Sequence, residues 1–255
     1  MRITTVLNQK GGTGKTTSAH TLAAGLNLKG YKALVIDADP QGNITYAMQG
    51  NPLKTGLYAL LRGNADAMDA IQHTAQGDII ASCLDLAGAD MEFTQQGREY
   101  LLKEALERLD REYSHIIIDS PPALGILSVN ALTASNDVII PVCADMYSLQ
   151  GLQQLLATIA RVRKYSNQTL NVSGVLITRK GQRTNAAQAM QEQIQRSADA
   201  AGLYLYRATI REAVAIREAQ ILQTNIFEHA PTAKVTADYS AFIDEYIAQE
   251  AREGV

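Results

Sequence analysis

Short runs of β-branched and aliphatic residues alternate along this chain with longer stretches in which apolar positions recur every three or four residues. The runs at 3–7, 33–37, 78–81, 115–119, 138–142, 172–178 and 203–206 predict strands. Several are apolar on consecutive residues, as in Ile116-Ile117-Ile118 and Val138-Ile139-Ile140. Strands covered on both faces look like that, which favours a mostly parallel sheet. Helical spacing marks 15–29, 98–111, 149–165, 185–201 and 232–249, and Leu152, Leu155, Leu156, Ile159 and Val162 show it in one of them. Strand and helix in alternation predict right-handed βαβ units, hence an α/β fold with a twisted, mostly parallel sheet and helices on both faces. Residues 41–77 break the rhythm. Gly42, Gly50, Pro52, Gly56 and Gly63 punctuate them, so they read as short helices and loops inserted after the second strand, not as a separate domain.

Composition narrows the class. The 255 residues suffice for one large α/β domain or two small ones. With 46% hydrophobic residues, and 23 basic against 26 acidic, the chain is neither a globally basic nucleic-acid coat nor a disordered acidic tail. No run of 18 apolar residues predicts a transmembrane helix. The first strand begins within three residues of Met1, which leaves no room for a signal peptide or an added helix-turn-helix module. Cys83 and Cys143 stand far apart, outside the spacing of a disulfide scaffold or zinc ribbon. His20, His73, His115 and His229 are isolated and read as structural. A soluble, cytosolic protein is the expectation.

One loop gives the chain a chemistry. Asn8-Gln9-Lys10-Gly11-Gly12-Thr13-Gly14-Lys15-Thr16-Thr17 joins a predicted strand to a predicted helix. In that setting glycines let the backbone turn tightly and aim successive N–H groups inward, while the helix adds its positive N-terminal end. Lys15 can reach the β- and γ-phosphate oxygens of a nucleotide, and the Thr16 hydroxyl can ligate Mg²⁺. Lys10, read from the loop alone, is a solvated cation.

Two acidic segments follow. Asp37 and Asp39 close the second predicted strand, two residues apart and so on one face, before Pro40 and Gly42 turn the chain away. They could approach a metal or a water, or simply cap the turn. His115-Ile116-Ile117-Ile118-Asp119 ends a third strand in a carboxylate, as metal-binding acids of phosphate-loop proteins do.

Lys-Gly-Gly-x-Gly-Lys-Thr-Thr, with Gln9 where an ordinary Walker A loop has glycine, resembles the deviant Walker A loop of the ParA/MinD ATPases. Asp37-Ala38-Asp39-Pro40-Gln41-Gly42 and Asp119-Ser120-Pro121-Pro122 are similar to the next two motifs of that family, in order and spacing, although the three together span less than half the chain. The resemblance implies a single P-loop ATPase domain over residues 1–255, with ATP and Mg²⁺ as cofactors. It implies that Lys10, Gly11, Gly12, Thr13, Gly14, Lys15, Thr16 and Thr17 hold the nucleotide. Lys10 would cross a dimer interface to the partner's nucleotide, and Asp39 would position the attacking water, making Lys10, Lys15 and Asp39 the catalytic set. Thr16, Asp37 and Asp119 would surround the metal. For a ParA-type member it further implies an ATP-dependent homodimer, non-specific double-stranded DNA and a ParB-like centromere-binding protein as partners. The location would be cytoplasmic, and on the nucleoid when ATP is bound.

The second half of the chain bears on that choice. Residues 151–220 carry ten basic and four acidic residues, among them Arg179, Lys180, Arg183, Arg211 and Arg217. Such an excess is either a phosphate-backbone surface or the solvated faces of helices, and the resemblance favours DNA at those five positions. The match is imperfect, since Ala215 stands where the family usually has an arginine. A MinD-like membrane-surface ATPase is the alternative. Residues 239–255 weigh against it, with Asp244, Glu245, Glu250 and Glu253 opposed by a single Arg252, a tail that anionic lipid repels. Lone cysteines argue against a cluster-bridging relative such as the nitrogenase iron protein, and the Asp-Pro-Gln-Gly segment against a metabolic enzyme of the dethiobiotin synthetase type.

Overall fold

The computed structural model describes residues 1–109, 112–144, 146–180 and 185–253. Strands β1 (Arg2–Val6), β2 (Ala33–Asp37), β3 (Ile71–Thr74), β4 (Gly77–Ile80), β5 (His115–Asp119), β6 (Asp137–Cys143), β7 (Asn171–Lys180) and β8 (Leu205–Arg211) form one sheet, in the order β3-β4-β2-β5-β1-β6-β7-β8. All neighbours run parallel except β3 and β4. The α/β reading is therefore correct, and its cause is visible in β5. Ile116 and Ile118 pack on one face with Leu34, Ile36, Leu102 and Leu127. Ile117 packs on the other with Val35, Leu22 and Phe242. An uninterrupted apolar run serves two cores at once, each buried side chain contributing about 1.5–3 kcal/mol of burial.

Three expectations need correction. The segment 41–77 holds short helices, Asn43–Ala47, Leu57–Leu61 and Ala67–Ala70, but ends in a strand, β3, which pairs antiparallel with β4 at the sheet edge. Its side chains are at most half-buried, so it lacks the apolar run of an inner strand. The helix predicted over 98–111, whose last two residues lie outside the described ones, begins as a 3₁₀ turn, Arg98–Tyr100, followed by a helix of seven residues, Leu101–Glu107. The strand expected at 203–206 lies at Leu205–Arg211. Helix Ile126–Ala134 escaped notice because eight of its nine residues are buried, which leaves no polar face to set a period.

The helix Lys234–Glu253 closes the core. Tyr239, Phe242, Ile243 and Tyr246 are almost wholly buried against the helix Lys15–Leu28 and the sheet. The Tyr246 hydroxyl meets Thr4 Oγ1 at 2.8 Å. Its polar face guards the edge strand β8: the Glu245 carboxylate accepts the backbone N–H groups of Arg207 and Ala208, at 2.9 and 3.1 Å, and Asp238 accepts that of Arg211 at 3.1 Å. No helix among the described residues is long and apolar enough to cross a membrane.

Candidate active site

The chemistry-bearing residues gather at the carboxyl ends of the strands, where doubly wound sheets open a crevice. β1 runs centrally between β5 and β6, and the loop after it turns into the helix Lys15–Leu28. Gly12 and Gly14 adopt left-handed backbone, φ 75° and 79°, which explains glycine at both. Asn8 pins the loop at its start, donating from Nδ2 to the Pro141 carbonyl at 2.6 Å and accepting the Lys10 N–H at 3.0 Å. Thr178, at the end of β7, pins its middle by donating to the Thr13 carbonyl at 2.8 Å. Lys15 is buried within the loop, its Nζ donating to the Lys10 carbonyl at 3.3 Å. Burial lowers its pKa, and the charges of Asp119 and Asp39 push back.

The acids divide into distinct environments. Asp37 and Asp119 are register partners on β2 and β5, and neither is exposed at all. Asp37 is fully engaged: Oδ2 accepts the Thr45 N–H at 2.9 Å and the Thr45 hydroxyl at 2.6 Å, and Oδ1 accepts the Asp39 N–H at 3.1 Å. Burial pushes its pKa up to about 7, against the pull of the Thr45 bonds. Neither oxygen of Asp119 receives a well-formed hydrogen bond, and the neighbouring Thr16 hydroxyl offers only a weak one. Burial and then the Asp37 charge raise its pKa well above the carboxylate range, with the Thr16 hydroxyl and Lys15 opposing. A buried carboxylate left short of donors is costly unless a cation meets it. Thr16 and Asp119 thus fit a Mg²⁺ ion, while Asp37 holds the following loop in shape. Asp39 lines the open cleft, its Oδ1 accepting the Gln41 N–H at 3.0 Å and its carbonyl accepting the Ser82 hydroxyl at 2.6 Å.

The cleft has a volume of about 870 Å³, within the range of small-molecule sites. Gly11, Gly12, Gly14, Lys15, Thr16 and Thr17 form its floor. Its far wall is the end of β8 and the helix Val214–Ile221, with Ile216, Arg217 and Gln220 facing inward. Tyr46 and Asn43 line it from the loop after Asp39.

Of the five basic residues proposed for DNA, three line this cleft: Arg179, Arg211 and Arg217. Arg179 donates to the Gly12 carbonyl at 3.0 Å and pairs with Glu212 at 2.9 Å. Arg211 is bound through Nε and Nη2 to both oxygens of Asp238, at 2.6 and 2.8 Å. Lys180 ends β7 beside them, and Arg183 lies outside the described residues. Lys10 is half-buried, and its carbonyl accepts the Thr13 hydroxyl at 3.3 Å. Nothing in the sequence marked Thr45, Ser82, Thr178 or Gln220, because their contacts come from elements remote in the chain. Asn8 stood inside the loop motif and could have been found there.

Residues 1–172 match a protein family described as an AAA domain. The chain is 42% identical over 200 residues to the sporulation initiation inhibitor protein Soj of Bacillus subtilis (strain 168), covering 76% of this chain and 79% of that one. It is 36% identical over 243 residues to the chromosome-partitioning ATPase Soj of Thermus thermophilus, covering 95% and 94%. Among solved structures, cobyrinic acid a,c-diamide synthase from Mycobacterium smegmatis with bound ATP analog and magnesium has a TM-score of 0.85 at 32% identity, covering 96% of this chain and 93% of that one.

Proposed function

The chain belongs to the Soj/ParA family of partition ATPases, and from that premise we propose that it binds MgATP in the cleft and closes as a homodimer across two nucleotides. The ATP-bound dimer holds double-stranded DNA without regard to sequence, and a ParB-like centromere-binding partner stimulates hydrolysis and release. The chain then works in the cytoplasm, on the nucleoid while ATP is bound, and segregates a replicon. The single observation that carries this reading is the glycine-built loop on the cleft floor, whose buried Lys15 stands close enough to the wholly buried carboxylate of Asp119 for their charges to interact.

The roles follow from the geometry. Backbone N–H groups of residues 11–17 and the helix N-terminus receive phosphate oxygens. Lys15 Nζ, now resting on a carbonyl, exchanges that weak contact for a phosphate oxygen. The Thr16 hydroxyl and the Asp119 carboxylate would hold Mg²⁺, whose charge would offset that developing on the transferred group. Asp39 keeps one carboxylate oxygen on the Gln41 N–H, which fixes its rotation and leaves the other to orient a water. Asp37 orders this loop through Thr45 and the Asp39 N–H. Lys10 serves the partner's nucleotide in the dimer, so nucleotide binding and association are one linked equilibrium.

For DNA, Arg179 and Arg211 are already paired to Glu212 and Asp238. No ion pair among the described residues holds Lys180 or Arg217, so phosphate contacts fall first to these two and to Arg183. The MinD-like alternative gains no support from the helix Lys234–Glu253, whose apolar face is spent in the core. The test is retention on non-specific duplex DNA with ATP, ADP or no nucleotide, across a salt series. Binding that requires ATP and weakens with salt is expected, and Lys15→Ala should lose both ATP binding and DNA retention. DNA binding in no state, or unchanged ATP affinity in Lys15→Ala, would overturn the reading.

A further inference from the structure

Three non-glycine residues have left-handed backbone among those described, and two of them are glutamines: Gln49 at φ 60° and Gln223 at φ 53°. Each ends a helix that lines the cleft, Gln49 after Asn43–Ala47 and Gln223 after Val214–Ile221. The two endings are built alike. Gln49 N–H bonds the Tyr46 carbonyl at 3.1 Å and Gly50 N–H that of Thr45 at 2.8 Å; Gln223 N–H bonds Gln220 at 3.2 Å and Thr224 N–H bonds Ala219 at 3.0 Å. Glycine is the residue this helix ending favours, because a Cβ is crowded in the left-handed region. Both positions nonetheless carry a long amide.

The amides are exchanged between the two helices. Gln49 Nε2 donates to the Gln223 carbonyl at 3.1 Å, and Gln223 Nε2 donates to the Tyr46 carbonyl at 3.0 Å. Each side chain therefore caps the C-terminal end of the other's helix, a contact that glycine could not make. One turn earlier, Gln220 Nε2 donates to Thr17 Oγ1 at 3.0 Å, which hangs the same wall on the phosphate-loop helix. On the other side, Asn43–Ala47 follows directly on the Asp39 loop, and its Thr45 is gripped by Asp37 and by the Ser82 N–H at 2.9 Å. An unbroken run of hydrogen bonds thus links the end of Val214–Ile221 to Asp39, through Tyr46, Thr45 and Asp37.

We propose that Gln49 and Gln223 are positioning residues, a reciprocal interlock by which the far wall of the cleft holds the Asp39 loop in place for hydrolysis. The functional part of this inference rests on reading the cleft as an ATP site. Strain retained at two matched positions, with the side chains crossing to each other, is the observation behind it.

The experiment compares the wild type with Gln49→Gly, Gln223→Gly and the double variant. Glycine restores the left-handed turn as it removes the amide, so the melting temperature should change little. In nucleotide-free protein, hydrogen–deuterium exchange should rise in residues 43–50 on Gln223→Gly and in 219–224 on Gln49→Gly, each effect appearing across the gap from its mutation. ATP turnover should fall roughly 3- to 10-fold in kcat with KM within about 2-fold, and the double variant should be no slower than the slower single one. Exchange that rises only in the mutated helix, kcat losses that multiply in the double variant, or unchanged kcat would overturn the interlock. A wild type that turns over no ATP would instead overturn the ATP reading, and the cross-gap exchange would still decide whether the two helices are interlocked.

Discussion

Replacing Asp119 with asparagine should move stability in opposite directions with and without nucleotide and magnesium. Asp119 is wholly buried, neither oxygen receives a well-formed hydrogen bond, and Asp37 lies beside it in register. An ionised carboxylate in that position costs several kcal/mol, of which Lys15 and Thr16 return only a part. The amide keeps the shape and still lacks partners, at about 1–3 kcal/mol, but carries no charge. The metal-free variant should therefore be the more stable protein by about 2 kcal/mol once the wild-type group ionises, which for a chain of this size is about 4–8 °C in melting temperature. The sign depends on pH. Because the folded pKa of Asp119 is raised, the wild type is spared this cost below the ordinary carboxylate pKa and incurs it as pH rises through the raised value. With MgATP at one hundred times Kd, the wild type should gain about 2.7 kcal/mol from binding, and the variant little of it. Melting curves from pH 5 to pH 9, in EDTA and in MgATP, read both effects. A metal-free variant less stable than the wild type at pH 9, or one that keeps the full MgATP shift, would refute the assignment.

His20 is buried with its Nε2 unpartnered, and burial lowers its pKa to about 4. A lowered histidine pKa means stability is lost as pH falls from about 6.5 towards 4, here by roughly 3 kcal/mol. The stability difference between His20→Leu and the wild type should therefore shift in the variant's favour over that range in urea titrations; a pH-independent difference would show that His20 is not held neutral. Gly56 has ordinary extended backbone, but a Cβ there would lie 2.4 Å from the Ala81 carbonyl oxygen. Gly56→Ala should cost about 1–3 kcal/mol in a denaturant titration, and an unchanged midpoint would mean the loop after β4 gives way freely.

The phosphate loop was legible because its backbone demands particular residues locally: Gly12 and Gly14 are left-handed, and Lys15 follows at once. The apolar strands were legible because two covered faces require consecutive aliphatic residues. Spacing shows that Asp37 and Asp39 share a face, but not that Thr45, on the helix after the turn, donates both its N–H and its hydroxyl to Asp37 Oδ2. Charge counting over 151–220 missed pairing for a similar reason. Glu212 neutralises Arg179 within the window, but Asp238, the partner of Arg211, lies outside it. Ser82 and Thr178 carry no pattern of their own, since their contacts are created by the sheet order. Gln49 and Gln223 are two among many glutamines until their backbone angles are known.

The carboxylates that the last helix lays along β8 have a consequence for crowding. An open strand edge is a template on which another chain can add, and copies of this chain at high local concentration would offer such edges to each other. Glu245 and Asp238 already occupy three N–H groups on β8, and at the opposite edge β3 is only four residues long. Copies pressed side by side would meet two blunted edges, a shape that favours close packing over strand addition.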